Sequence, residues 1–186
     1  MQQNRTKLWI GFICAVSLFT LTGLAWGMNV DEGSVKKARD TAGTKPTVQM
    51  VMDKVNQGAA LIAKEGPAAF PKFKGYDSDF IYAGTYIWIH SGDDGTMLMH
   101  PMKPKLEGRN VLPLKDKKGK LLFVEFNRVA LEKGSGWVDY WWPKPGEKKP
   151  SQKVSYVKLA EYGGKKYVIG SGVYDITMDQ IQAAMK

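Results

Sequence analysis

The sequence predicts an α+β domain. One five-stranded antiparallel sheet carries a long N-terminal helix on one face and a loop-helix crossover on the other. Three observations support this. An apolar stripe at helical spacing precedes every strand signal. Two alternating runs then flank a tight turn. Three more alternating runs follow a second helix and are joined by short turns and a Pro/Gly/Lys loop. A chain of 186 residues suits one domain whose core needs no disulfide or metal.

The elements follow in chain order. Residues 1–27 carry Arg5 and Lys7, an uncharged run from Leu8 to Gly27, and the small residues Ala25 and Gly27. That layout predicts an export signal peptide, with an uncleaved inner-membrane anchor over residues 8–27 as the alternative. Cys14, the sole cysteine, lies inside the run. An export signal without a disulfide framework points to a periplasm-like compartment, and no Cys/His zinc set can form. Residues 28–45 are polar and are expected to be a linker or a frayed helix start, with the domain proper spanning 46–186. Val48, Val51, Met52, Val55, Ala59, Ile62 and Ala63 then mark one face of a helix that Thr44-Lys45-Pro46-Thr47 opens, with the proline acceptable in its first turn, and that ends at Gly66-Pro67.

"FIYAGTYIWIH" reads as a single strand, "SGDDG" as a hairpin turn and "TMLMH" as the return strand. "LLFVEFNRVALEKG" reads as a helix with Gly134 past its end. "GWVDYWW", "KVSYVKLAEY" and "KYVIGSGVY" form the closing meander, and Thr177 caps a last short helix. The crossover from His100 to Gly136 is the one long connection, and long loops of this kind tend to be functional.

The net charge is +9, or +7 without Arg5 and Lys7, but the lysines are scattered over turns. No basic stripe suggests nucleic acid. Enzyme readings lack residues: there are two histidines, no nucleophile elbow around either Gly-Ser-Gly, no phosphate loop and no dinucleotide fingerprint. No cofactor is expected.

Several motifs resemble the single Cache domain of bacterial extracytoplasmic sensors. They are the hairpin before His100-Pro101; Leu106, Gly108 and Asn110; the Lys-Asp-x-x-Gly-Lys turn; Tyr140, Trp142 and Pro143; Lys153, Tyr156 and Val157; and Gly170, Gly172, Val173 and Tyr174. The resemblance spans residues 47–181. It implies a PAS-like sheet, a small-molecule pocket opposite the long helix, and short organic acids such as acetate, propionate or pyruvate as ligands. Two departures are visible. No signalling module follows before Lys186, which predicts a separate partner, a membrane histidine kinase or a chemoreceptor. The loop after His-Pro is cationic, at Lys103 and Lys105, where the family is often acidic or polar.

Strand parity sorts the side chains. Val138, Tyr140 and Trp142 share one face; Lys153, Ser155 and Val157 oppose Val154, Tyr156 and Lys158; Tyr86, Trp88 and His90 line up with Ile87 and Ile89 behind. Faces bearing Tyr, Trp and His suit a small cavity, since each offers an apolar wall with a donor. A buried carboxylate needs charge-assisted donors. The expected ligand-binding set is therefore His100, Lys153 and Arg109 as cations, Tyr140, Tyr156 and Trp142 as neutral donors, and Trp88 as the apolar wall. The crossover is expected to be the lid, with "MLMHP" at the pocket mouth. The competing expectation is an interaction module without a ligand, docking through its lysines on a membrane receptor or a polyanionic envelope component. Contact with the membrane is expected only through the N-terminal segment.

Overall fold

The computed structural model describes residues 31–186, so the expected leader and Cys14 lie outside the described residues. Helix α1 (Glu32–Asp40) starts the described chain, where a linker or a frayed helix start was expected. Asp31 caps it by accepting from the Ser34 amide, and Val35 and Ala38 are buried. Only these two apolar residues mark its inner face, too few for a periodicity signal. Helix α2 (Val48–Glu65) is capped by Thr47, which accepts from the Met50 amide, so Pro46 lies just before the helix and not in its first turn. Gly66-Pro67 ends the α-helix, but the chain winds on as a 3-10 helix through Phe73.

The single strand expected over residues 80–90 is broken. Strands β1 (Ile81–Tyr82) and β2 (Thr85–Tyr86) form their own hairpin about Ala83 and Gly84, both at positive φ. An alanine in that region is no turn signal in a sequence. Strands β3 (Trp88–Ser91) and β4 (Met97–Met99) follow, then α3 (Leu122–Lys133) and the meander β5 (Ser135–Pro143), β6 (Pro150–Tyr162) and β7 (Lys165–Tyr174). Helix α4 (Met178–Ala184) closes the chain with a capping box at Thr177 and Gln180.

The main sheet is five-stranded and antiparallel, in the order β4-β3-β7-β6-β5. Its two faces bury separate cores. Against α2 lie Val51, Val55 and Ile62 with Ile87, Ile89, Ile169 and Val173. Against α1, the crossover and α3 lie Tyr86, Trp88, Phe123, Phe126, Tyr140 and Trp142. The crossover thus covers the face opposite the long helix, as the sequence predicts. No helix among the described residues is long and apolar enough to cross a membrane.

Register fixes what meets on the crossover face. Tyr140 of β5 pairs with Lys153 of β6, and Lys153 pairs with Tyr174 of β7. These three side chains form one row across the sheet. Trp88 pairs with Gly170, and a Cβ built there would stand 2.3 Å from the indole. The glycine lets the Trp88 ring lie flat over the strand, which answers why the last strand carries Gly-Ser-Gly.

Candidate functional site

The row Tyr140-Lys153-Tyr174 centres the candidate site. Lys153 has no exposed surface. Its ammonium stands 4.4 Å above the Tyr86 ring and 4.4 Å from the Tyr174 ring, with Trp88 at 5.4 Å. It donates one hydrogen bond, to the Tyr174 hydroxyl at 3.3 Å, and the hydroxyl donates in turn to the Pro143 carbonyl at 2.9 Å. Among the described residues no carboxylate pairs with Lys153, and burial holds its pKa well below the ordinary value of 10.5. A buried amine without a counter-ion is costly. Stability alone does not favour a lysine here.

His100 is also buried, beside Tyr86 and Trp142 with ring centroids at 5.2 and 6.0 Å. Its Nδ1 accepts from the Lys103 amide at 3.0 Å, which leaves the neutral ring's proton on Nε2. Its backbone N–H donates to Glu107 Oε1 at 2.7 Å, and the same oxygen meets Lys74 Nζ at 2.6 Å. Glu107 thereby ties the crossover to the segment after α2. Burial, then the charges of Lys103 and Lys153, drive the His100 pKa well below 6.5. Lys103 lies over the Trp142 ring at 4.3 Å, its own pKa lowered by burial. Glu107 is engaged by Lys74 and the His100 amide, and among the described residues no carboxylate pairs with Lys103 or Lys153 at this end of the sheet.

Neutral donors complete the set. Trp142 Nε1–H donates to the Tyr86 hydroxyl at 2.9 Å. The Tyr140 and Ser155 hydroxyls share a hydrogen bond of 3.0 Å. Burial raises the pKa of Tyr86, Tyr140 and Tyr174, so all three are neutral phenols. Trp88 differs from its expected part as an apolar wall: its indole N–H is buried without a partner, which makes it a donor in waiting.

The enclosed space is small. Tyr86, Trp88, His100, Phe126, Tyr140 and Trp142 help line a cavity of about 10 Å³. That is room for about one water, not for a two-carbon acid. The expected hollow is lined by the expected rings but nearly filled by them.

Of the seven residues singled out in the sequence, five converge here: Trp88, His100, Tyr140, Trp142 and Lys153. Two do not. Tyr156 lies on the α2 face, packed on Trp137, and its hydroxyl donates to Ser135 Oγ. It is three positions from Lys153, and in a strand an odd spacing puts two side chains on opposite faces. Arg109 is exposed; its carbonyl accepts from the Met97 amide and its guanidinium stays in solvent. Loop residues carry no periodicity, so nearness to a motif was a poor guide. Three participants were missed. Tyr86 was legible by its two-residue spacing from Trp88. Tyr174 and Ser155 required the strand register, which fixes Tyr174 opposite Lys153 and Ser155 opposite Val138.

A twisted antiparallel sheet with a helix on one face and a buried cationic, aromatic row under a crossover is the build of a small-molecule sensor domain. Comparison with known proteins agrees. The family model of the Cache domain matches residues 80–186. The methyl-accepting chemotaxis protein McpP of Pseudomonas putida is 30% identical over 185 residues, covering 95% of this chain. The chain spans only 32% of that protein's length. A Cache chemosensory domain solved for its carboxylic acid recognition is 30% identical, covers 76% of this chain and 95% of its own, and superimposes with a TM-score of 0.51. A methyl-accepting chemotaxis protein of Vibrio parahaemolyticus, 21% identical, covers 81% of this chain and 98% of its own; it shares the fold with a TM-score of 0.57. The chain belongs to the Cache domain family of sensor domains.

Proposed function

We propose that this domain binds a short organic acid outside the cytoplasm and reports its presence to a membrane signalling partner of the chemoreceptor or histidine-kinase type. One observation carries the reading: Lys153 is fully buried among Tyr86, Trp88, Tyr140 and Tyr174, and among the described residues no carboxylate stands beside it. A bound carboxylate would supply the missing counter-charge. Trp88 Nε1–H and His100 Nε2–H stand ready as donors to its oxygens, and Phe126 offers apolar wall for a chain of few carbons. The relatives support the class of ligand, since one of them is a carboxylic acid recogniser. A ligand larger than water requires the rings to move, so binding is coupled to a rearrangement of this face. That coupling suits a sensor.

Calorimetry and thermal shift with acetate, propionate and pyruvate test the reading, on the wild type, Lys153→Ala and Tyr140→Phe. Wild-type melting should rise with at least one acid. Lys153→Ala should show no rise, and Tyr140→Phe a reduced one. A flat wild-type response to all short carboxylates defeats the proposal.

The near-solid packing of the cavity favours a second reading, a scaffold that docks on a polyanion through surface lysines. Salt separates the two. Surface docking collapses between low and moderate ionic strength, whereas binding at a buried lysine is screened far less.

A further inference from the structure

The crossover side of the site is sealed. Met102, Val111, Leu122 and Phe123 are buried over it, and the His100 and Lys103 amides are both engaged. The opposite approach is open. A cavity of about 250 Å³ is lined by Ala38, Arg39, Ala42, Gly84, Lys144 and Glu147, among others. A second, of about 150 Å³, shares Ala42, Gly84 and Lys144 with it and runs on to Lys45, Thr85, Gly172, Tyr174 and Asp175. The two form one groove between the end of α1, the β1-β2 turn and the β5-β6 loop. Gly84 and Gly172 present no side chain to it. One ring, that of Tyr174, belongs both to the groove wall and to the surroundings of Lys153.

From this we infer that the organic acid enters through this groove, pausing at an outer carboxylate subsite of Lys45, Lys144 and Thr85, with Tyr174 as the gate to Lys153. The inference rests on the carboxylate reading above. Thr85 is 1% exposed, and its hydroxyl has no hydrogen-bond partner, an orphan on the groove wall that a ligand oxygen would satisfy. Lys144 is held by Asp175 and Lys45 Nζ by the Asp175 carbonyl, so both lysines are already turned to the groove. Asp175 sits at φ 54°, a conformation that aspartate tolerates but most residues avoid. The gate ring is held by its hydroxyl, which accepts from Lys153 and donates to the Pro143 carbonyl, and the residue after it by one surface ion pair, which is a weak restraint. Glu147 and Asp175 are the acidic groups of the groove, and Arg39, Lys45 and Lys144 outnumber them.

Stopped-flow tryptophan fluorescence on the full chain with acetate tests this, since Trp88 and Trp142 flank the site. Asp175→Asn frees Lys144 and keeps the backbone conformation. It should raise the association and dissociation rates together, with affinity nearly unchanged. Ala42→Phe fills the groove and should lower both rates by about tenfold, within the spread that access changes produce. Asn110→Ala loosens the crossover, where its side chain bonds the Asp94 carbonyl and the Leu112 amide, and should leave both rates alone. If Asn110→Ala speeds exchange while Asp175→Asn does not, the entrance lies under the crossover and the inference falls. Should Ala42→Phe fail to fold, the contrast of Asp175→Asn with Asn110→Ala decides alone. Absence of wild-type binding at equilibrium removes the carboxylate reading and the entrance together; binding at unaltered rates in every variant removes only the entrance.

Discussion

The two faces of the sheet differ in the polar groups they bury among their apolar side chains. Against α2, Val51, Val55, Ile62, Ile87, Ile89 and Ile169 bury aliphatic surface beside Phe73, Tyr156, Tyr167 and Trp137, whose indole N–H is unpaired. Under the crossover the same strands bury Lys153, His90, His100 and Ser155 among aromatic rings, with the Trp88 N–H unpaired. Both faces are closed to water and each leaves an indole N–H unpaired, but only the crossover face also buries a lysine and both histidines, so its cost is the larger. Burying an unpaired polar group destabilises by about 1–3 kcal/mol in mutational terms. Where a fold keeps such groups against its own stability, function is the physical reason to look for.

The comparison is broken or made at Lys153, where the largest effect is expected. Lys153→Met keeps the chain length and removes the amine. Carboxylate affinity should fall by about a hundredfold or more, in line with the roughly 2–5 kcal/mol lost when one partner of a buried charge pair is truncated. Stability without ligand should rise by about 1–3 kcal/mol, since an uncompensated buried group goes. For a domain of this size that is a melting point higher by about 2–4 °C per kcal/mol. Opposite signs for binding and stability are the signature of a functional lysine. Equal losses in both would make Lys153 an ordinary structural residue, and the contrast between the faces would lapse.

The aliphatic face should respond the other way. Ile62 is fully buried, and Ile62→Ala should cost about 2–5 kcal/mol in urea unfolding through lost burial and the cavity left behind. Acetate affinity of the folded fraction should hold. A variant that lost affinity in proportion to stability would show that the two cores act as one unit.

Acid sharpens the comparison further. His90 is fully buried, bonded to Asn127 at 2.7 Å, and burial lowers its pKa from 6.5 to about 4. The folded state resists the proton that the unfolded chain accepts. His90's contribution is therefore fully present above pH 6.5 and is lost as pH falls toward 4, by about 3 kcal/mol over that window. His100 shifts in the same direction and adds to the loss. Lys153 obeys the same sign rule at higher pH. Its folded pKa is lowered, so stability without ligand should climb as pH rises toward 10.5. Urea midpoints from pH 4 to 10 check both limbs. The acid limb should flatten in His90→Gln, and the alkaline limb should vanish in Lys153→Met.

How much of this was legible in the sequence follows from which signals are local. Strand parity grouped Tyr140 with Trp142 and Trp88 with Tyr86 and set Lys153 opposite Tyr156, because alternation is intrinsic to a strand, but it did not decide which of those two faces the cavity. The two-layer order followed from the helix stripes and turn residues. Register is not local: Tyr174 meets Lys153 only because Gly163 and Gly164 turn β6 into β7 at that point, and the sequence does not number the ladder. Helix α1 was legible only as a linker or a frayed helix start, because Val35 and Ala38 are the only apolar residues it buries. Its position matters, since α1 forms one wall of the groove while the crossover, expected to be the lid, is the better packed side.

The smallest effects concern the two residues that left the site, and they bear on the comparison most cleanly. Tyr156 and Lys153 share a strand, lie three positions apart and face opposite cores. Tyr156→Phe removes one hydrogen bond to a half-buried serine, a loss of about 1 kcal/mol. Its ring still packs on Trp137, so the α2 face stays filled. Acetate affinity should be unchanged within error by calorimetry. Arg109→Ala should alter neither stability nor affinity measurably, because only its backbone is engaged. If Tyr156→Phe weakened acetate binding tenfold while its unfolding midpoint moved little, the ligand would be reading the α2 side of the sheet. The division between a structural face and a sensing face would then be drawn in the wrong place.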